Sequence, residues 1–91
     1  MTICEELAAD YPQLSDAMNE REVLGMQRYG APLDPRADGR NFYAEAEEEL
    51  LDAAVYGRSI RARGEHLGPA FEYHLLAAID ALRIARAIEG K

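Results

Sequence analysis

The sequence predicts an all-α fold, a small antiparallel bundle of three to four helices, on the strength of three observations. Alanine, leucine, glutamate and arginine dominate the 91 residues, and β-branched residues never alternate over a useful stretch. Apolar residues recur with the helical period along the whole chain. Short connections join helices of similar length, and such connections favour antiparallel neighbours.

Four helices are expected in one domain over residues 1–91, at about residues 4–10, 13–29, 41–62 and 70–88. Tyr11 and Pro12 end the first of these helices. Gly30 is expected to be the C-cap of the second helix, and Pro32 prevents its continuation. The helix bounds therefore follow from turn and cap residues as well as from the period.

The stretch from residue 31 to 39 must be a loop, because it holds two prolines and a glycine. Asp38 or Asn41 can cap the third helix, which is expected to end at Gly64. Pro69 lies near the first position of the last helix, where its missing N–H costs nothing.

The size of the chain allows one domain with a modest core. At 10.1 kDa, area scaling gives about 5,300 Å² of accessible surface after folding and buries about 64% of the unfolded surface. Association of copies would enlarge that core. We therefore expect the bundle to be completed by oligomerisation, as a homodimer or a homotetramer.

Charge and composition exclude several classes of protein. Ten basic and seventeen acidic residues leave a net charge of −7, which argues against binding to a nucleic-acid polymer. The single cysteine, Cys4, excludes an internal disulfide framework and a thiolate zinc site. The chain has neither a membrane-spanning apolar run nor a signal-peptide pattern at its start. We expect a cytoplasmic protein without a membrane partner.

The third helix carries an acidic run beside an apolar face. At about 100° per residue, six residues share that face: Phe42, Ala46, Leu50, Ala53, Gly57 and Ile60. Glu49 is expected at the edge of the face, and Glu45 and Asp52 just beyond it. Glu48 is expected further round, and Glu47 nearly opposite.

Glu45, Glu49 and Asp52 repel one another, because they lie within two turns of a helix. A divalent cation would remove the repulsion, and carboxylates one turn apart are ligands that Mg²⁺ or Mn²⁺ accepts. The alternative is a solvated acidic face near a helix N-terminus, where the helix dipole favours negative charge. The spacing leaves both interpretations open.

Two further carboxylates fall among apolar residues on other helices. Asp80 shares a stripe of the last helix with five other residues: Tyr73, Leu76, Ala77, Ile84 and Ala87. It is expected to form an interhelical bond to an arginine or tyrosine, or to serve in a site. Glu22 lies among apolar residues of the second helix, and either pairs with Arg21 or Arg28 or completes a metal cluster.

Residues 48–56, Glu-Glu-Leu-Leu-Asp-Ala-Ala-Val-Tyr, resemble the second signature of the MazG-like nucleotide pyrophosphohydrolases, an all-α superfamily. Glu49 and Asp52 match its Glu-x-x-Asp pattern. An Arg-Tyr-Gly-x-Pro-Leu segment from Arg28, then Gly39-Arg40, then the acidic helix, is similar to a small group often carried by bacteriophages. The resemblance covers roughly residues 20–63. The first signature, Glu-Glu-x-x-Glu on the preceding helix, is not present as such.

The resemblance implies a Mg²⁺-dependent enzyme that hydrolyses a nucleoside triphosphate to the monophosphate and pyrophosphate. Glu45, Glu49 and Asp52 would then hold Mg²⁺ (or Mn²⁺), with Asp80 as a further ligand from a neighbouring helix. The base that activates water would be one of three glutamates: Glu45, Glu48 or Glu22. The missing first signature would be replaced by Glu45 and Glu48 from the same helix as the second signature, and by Glu22 or Asp80 from neighbouring helices.

The nucleotide itself would be bound by basic and aromatic side chains. Arg40, at the entrance to the acidic helix, and Arg28 or Arg58 would stabilise the phosphate charge. Tyr56, one turn after Asp52, would line the base pocket or pack in the core. Two other functions remain open: a module that binds or sequesters a nucleotide without hydrolysing it, and a helical protein-interaction protein.

Overall fold

The computed structural model describes residues 1–91 and confirms an all-helical fold without strands. The four α-helices are α1 (Ile3–Asp10), α2 (Ser15–Tyr29), α3 (Phe42–Ala62) and α4 (Pro69–Glu89), and a 3₁₀ turn (Pro12–Leu14) precedes α2. Every predicted helix is present, with its ends within two residues of the expected positions. None of these helices has both the length and the apolar character needed to cross a membrane.

The helices form two compact units, each built from one helix pair. The first unit is Met1–Gly39 and contains α1 packed on α2, and the second is Arg40–Lys91 and contains α3 packed on α4. The expectation of one domain over residues 1–91 stays a prediction. The acidic run and most of the predicted site residues belong to the second unit.

The first unit begins with a capping box. Thr2 Oγ1 accepts a hydrogen bond from the Glu5 backbone N–H over 3.1 Å, and Glu5 Oε1 accepts one from the Thr2 N–H over 3.0 Å. These hydrogen bonds lower the pKa of Glu5. At the other end, Gly30 adopts a φ of 78° and caps α2 through the Met26 carbonyl, as predicted. No side chain of α1 or α2 is fully buried.

The second unit is an antiparallel helix pair. Gly57, near the end of α3, lies against Phe71 near the start of α4. At the other end of the unit, Asn41 Nδ2 donates a hydrogen bond to the backbone oxygen of Lys91 over 3.1 Å. The C-terminal part of α3 thus lies beside the N-terminal part of α4, and the N-terminal part of α3 lies beside the C-terminal part of α4.

The core of the second unit lies where the two helices approach most closely. Its fully buried residues are Gly57 and Ile79. A Cβ placed on Gly57 would lie 2.8 Å from Cε1 of Phe71 and 3.4 Å from Cδ2 of Leu67. Only a residue without a side chain fits this approach while the Phe71 ring keeps its position.

The predicted caps of the second unit are present. Asn41 Oδ1 accepts a hydrogen bond from the Ala44 N–H over 3.3 Å, so Asn41 and not Asp38 caps α3. Gly64, with a φ of 80°, lies just after the end of α3. Pro69 is the first residue of α4.

Candidate functional site

The acidic run of α3 is divided between two sides of the helix. Glu47 faces α4 with only 18% of its side chain exposed, and Glu45, Glu48, Glu49 and Asp52 are exposed. The prediction that Glu47 points away from the apolar face was therefore wrong. One acid of the run contributes to helix packing, and the other four face solvent.

Glu47 is held by two arginines of α4. Arg83 Nε donates to Oε1 over 2.6 Å, and Arg86 Nη1 donates to Oε2 over 3.4 Å. Neither arginine was expected to have a role from the sequence alone. Their spacing of three residues, which places both on one side of α4, was the signal that could have revealed them.

The buried face of α3 contains four of the six residues predicted for it, Ala46, Leu50, Ala53 and Gly57. It extends further round the helix than predicted, because Tyr43 and Ala54 are half-buried together with Glu47. Phe42 and Ile60, which were expected on the apolar face, are 37% and 36% exposed. Arg83 and Arg86 of α4 compensate the charge of Glu47, so this side of α3 can be buried. The opposite edge of the predicted face, formed by Phe42 and Ile60, is more exposed.

The three predicted metal ligands of α3 lie on its exposed side. Glu45, Glu49 and Asp52 are all exposed, and none of them forms a hydrogen bond or an ion pair through its side chain. Ala46 and Ala53, one turn either side of Glu49, are half-buried, so Glu49 lies beside the buried face with its own side chain exposed. No three His, Cys, Asp or Glu side chains of the chain form a group that could hold a metal ion.

Asp80 is exposed and makes neither of the expected contacts. It follows the buried Ile79, and one residue turns the helix by about 100°. Asp80 therefore lies on the solvent side of α4, beside Ile84, which is 63% exposed. It forms no interhelical salt bridge, and the structure does not bring it into a metal-binding group with the carboxylates of α3.

Glu22, in the first unit, is half-buried, and its Oε1 is buried without a hydrogen-bond partner. The expected pairing with Arg21 or Arg28 is not formed, and Arg28 instead lies 5.4 Å from the centre of the Tyr29 ring. A buried acceptor without a partner has lost its bonds to water and gained none in return. Glu22 is thus the one predicted site residue with an unsatisfied buried oxygen.

Arg58, a predicted phosphate ligand, is already bound to a carboxylate of α4. Its Nε and Nη2 donate to the two carboxylate oxygens of Glu72, the second over 3.2 Å. These hydrogen bonds lower the pKa of Glu72 and raise that of Arg58. No role for Glu72 was expected from the sequence, since a single glutamate in the first turn of a helix is common.

Arg40 and Tyr56, the other two predicted substrate-binding residues of the second unit, lie before and after the exposed carboxylates of α3 in the sequence. The guanidinium of Arg40, just before α3, lies 5.5 Å from the centre of the Phe42 ring. The side chain of Tyr56 is 69% exposed. Tyr56 is therefore not part of the core, which was one of its two expected positions.

Two open clefts lie along the α3–α4 pair. A cleft of about 460 Å³ is lined by Ala54, Val55, Arg58, Ser59, Ala62 and Glu72. A cleft of about 370 Å³ is lined by Glu47, Arg83, Arg86, Ala87, Gly90 and Lys91. Neither cleft is lined by Glu45, Glu49 or Asp52. The unpaired carboxylates thus lie outside both clefts.

No protein-family model, curated protein or solved structure matches the chain. The resemblance to the MazG-like enzymes rests on residues 48–56 and on the order of the motifs around them. Each role assigned through that resemblance is accordingly a proposal. The exposure of Glu45, Glu49 and Asp52 and their lack of ion pairs do not depend on that resemblance.

Proposed function

We propose that the chain is a Mg²⁺-dependent, MazG-like nucleoside triphosphate pyrophosphohydrolase, which converts a nucleoside triphosphate into the monophosphate and pyrophosphate. One observation carries the proposal: Glu45, Glu49 and Asp52 share the exposed side of α3 without an ion pair. In the same run, Glu47 is neutralised by arginines of α4. The carboxylates left without a cation include the two that match the Glu-x-x-Asp pattern.

The donor set of α3 suits Mg²⁺ (or Mn²⁺) bound together with a substrate. Magnesium in nucleotide sites takes one or two carboxylates, and water and phosphate oxygens complete its octahedron. Glu49 and Asp52, on adjacent turns, are the pair proposed to hold it, with Glu45 one turn earlier. A cation held by these residues would supply polarisation of a phosphoryl oxygen and activation of the attacking water. The assignment of Asp80 as a further ligand stays a prediction.

The proposed base is Glu45 or Glu48. Each is exposed and without a bonding partner, so each can accept a proton from the attacking water. The oxygen of that water joins the α-phosphorus, and the anhydride bond to the β-phosphate breaks to release pyrophosphate. Glu22 stays a predicted alternative, since it belongs to the other unit of the chain.

The proposed contacts to the nucleotide come from Arg40 and Tyr56. A chain with a net charge of −7 binds a triphosphate only where cations separate the two sets of negative charge. Arg40 supplies one such cation at the start of the acidic helix. Tyr56 offers an exposed ring, one turn after Asp52, against which a base can stack. Arg58 would have to exchange Glu72 for phosphate, and the role of Arg28 stays a prediction.

We further propose that the protein acts in the cytoplasm as a homodimer or homotetramer, on a free nucleotide and not on a nucleic-acid polymer. The acidic balance of the chain supports the choice of ligand, because binding to a polymer needs clustered lysine and arginine. The small number of fully buried residues supports oligomerisation: in the second unit only Gly57 and Ile79 are fully buried.

The test is a panel of nucleoside and deoxynucleoside triphosphates with Mg²⁺, in which pyrophosphate release and the melting temperature are measured in parallel. We expect one or more nucleotides to be hydrolysed, and Asp52→Asn to abolish both turnover and the Mg²⁺-dependent rise in melting temperature. The matched control is Glu65→Gln, which removes an exposed acid outside α3 and should leave both unchanged.

Two other outcomes would replace the proposal. A nucleotide that raises the melting temperature with Mg²⁺ but is not hydrolysed would show a module that binds or sequesters nucleotides. No turnover and no shift for any nucleotide would favour a helical protein-interaction protein, and the exposed apolar residues of α4 already fit such a protein. Retained activity in Asp52→Asn would remove that residue from the site.

A further inference from the structure

The smaller of the two clefts, here called the basic cleft, holds more positive charge than helix packing requires. It is lined by Glu47, Arg83, Arg86, Ala87, Gly90 and Lys91. One arginine would neutralise Glu47, yet both arginines bond to it, and Lys91 lies at the same cleft without an ion pair. Three cationic side chains and one carboxylate leave two positive charges in excess, in a chain whose net charge is −7.

Most hydrogen-bond donors of the basic cleft have no partner in the chain. Arg83 bonds Glu47 through Nε alone, and Arg86 bonds it through Nη1 alone, over 3.4 Å. A guanidinium carries five N–H donors, so each arginine keeps the other four for a ligand. The side chain of Arg86 is only 34% exposed, so part of this donor set lies in a partly enclosed place.

Contacts within the second unit hold the cationic side chains in position. The Glu47 carboxylate joins the two guanidinium groups on one side of the cleft. Asn41, which caps α3, donates from Nδ2 to the backbone oxygen of Lys91 over 3.1 Å and so fixes the end of α4 beside the start of α3. A preorganised set of cations binds an anion with little further loss of conformational entropy. Every lining residue belongs to Arg40–Lys91, so the cleft is complete within one unit.

Phosphate is the anion that this donor set fits best. A phosphate monoester carries a charge of about −1.5 to −2 at pH 7 and offers three acceptor oxygens, which matches both the excess charge and the number of cations. Arginine presents a planar fork to a pair of phosphate oxygens, and lysine presents a point charge. A carboxylate ligand would bring one charge and leave part of the excess uncompensated. The cleft, of about 370 Å³, also has room for a substituent on the phosphate.

We propose that the basic cleft binds a phosphate dianion, either as free phosphate or as the phosphate group of a small monoester. Arg83, Arg86 and Lys91 bind its oxygens, and Glu47 positions the two guanidinium groups. The proposed metal ligands of α3 do not line this cleft, so it is a second site. Binding here needs no divalent cation, and the inference therefore does not rest on the proposed function.

The first test is a titration of the full chain with inorganic phosphate in the absence of Mg²⁺, with NaCl holding the ionic strength constant. Two-dimensional NMR should show saturable shifts of the backbone amide signals of Ala87, Gly90 and Lys91, and of the Nε–H signals of Arg83 and Arg86. A parallel titration with glycerol phosphate identifies the source of the phosphate group. Tighter binding of glycerol phosphate indicates a monoester as the ligand, and equal or weaker binding indicates free phosphate.

The second test uses two pairs of variants with equal changes of net charge. Ala87→Glu places a carboxylate in the cleft and should weaken phosphate binding at least about tenfold, whereas Ala81→Glu, at an exposed position of α4 outside the cleft, should weaken it less than about twofold. Lys91→Gln removes a cation whose side chain has no partner, so it should weaken binding at least about threefold without lowering the melting temperature. Arg61→Gln, which removes an exposed arginine of α3, is its control and should have little effect.

Three results would overturn the proposal. The first is the absence of saturable binding of either phosphate compound. The second is equal weakening by Ala87→Glu and Ala81→Glu, which would show that phosphate responds only to the net charge of the chain. The third is binding that appears only when Mg²⁺ is added, which would place the phosphate at the metal site instead. The pyrophosphate assay gives a separate result, so this inference and the proposed function can fail independently.

Discussion

Arg83 on α4 donates a hydrogen bond from Nε to Oε1 of Glu47 on α3, over 2.6 Å. Arg86 adds a longer bond of 3.4 Å to the other oxygen of the same carboxylate. A single carboxylate therefore joins two cations of the facing helix, and the pairing places Glu47 on the buried side of α3. The remaining acids of the run are left exposed and unpaired.

Glu47→Gln should destabilise the protein by about 1–2 kcal/mol. The range lies at the low end for hydrogen bonds to charged groups, because Arg83 and Arg86 are partly exposed and screened by solvent. Urea unfolding followed by circular dichroism measures the change in free energy. Glu48→Gln, at the adjacent exposed position, should change the stability by less than about 0.5 kcal/mol. Equal losses from the two variants would contradict the structural role of Glu47.

Gly57→Val should also destabilise the protein, by about 1–3 kcal/mol, because even a Cβ at this position would lie 2.8 Å from the Phe71 ring. Gly25→Ala is the control for replacing a glycine within a helix. No atom lies within 4 Å of a Cβ at Gly25, so alanine should stabilise α2 by about 0.5–1 kcal/mol. Gly57→Val should therefore lower the urea midpoint of unfolding, and Gly25→Ala should raise it. A stabilising Gly57→Val would show that α3 and α4 do not approach closely at this point.

The Arg58–Glu72 pair predicts a specific dependence of stability on pH. Its hydrogen bonds lower the pKa of Glu72 below the ordinary value of 4.5. A lowered folded-state pKa stabilises the fold fully above pH 4.5, and the contribution disappears as the pH falls through the folded-state value. Glu72→Gln should therefore reduce the loss of stability on acidification below pH 4.5. Glu65→Gln is the control, and an unchanged acid profile in Glu72→Gln would contradict the pair.

The helices and their caps could be predicted from the sequence, because the signals for them are local. Gly30 ends α2 with a positive φ, and Asn41 caps α3 through the Ala44 N–H, each at an expected position. These contacts join residues no more than four positions apart. The period and the cap residues therefore sufficed to place all four helices.

The burial of Glu47 against α4 could not be predicted in the same way. The pair that turns Glu47 towards α4 joins residues 36 positions apart. An assignment based on a helical wheel treats each acid as a residue that prefers water, and it contains no information about an arginine on a facing helix. The same limit explains Asp80: its apolar neighbours were identified correctly, but the stripe faces solvent, because α3 packs on the other side of α4.

Neutralising one unpaired carboxylate should stabilise the protein when no metal is present. Glu49 has Glu45 four residues before it and Asp52 three residues after it, and none of the three has an ion pair. Like charges at these spacings destabilise a helix by about 0.2–0.5 kcal/mol per pair. Glu49→Gln should therefore raise the free energy of unfolding by about 0.4–1 kcal/mol at low salt. In 1 M NaCl the gain should become small, because a Debye length of about 3 Å screens charges on an exposed surface.

The same variant separates a binding site from a solvated surface. If Glu49 is a ligand, Glu49→Gln should be more stable than the unchanged chain without metal but should gain less stability from Mg²⁺ and nucleotide. The reason is that a neutral amide is a weaker ligand for a hard cation than a carboxylate. If the acids form only a solvated face, Mg²⁺ and nucleotide stabilise neither protein and the gain remains. Melting temperatures of both proteins with and without Mg²⁺ and nucleotide decide between the two. Equal ligand-induced stabilisation of both would exclude Glu49 as a ligand.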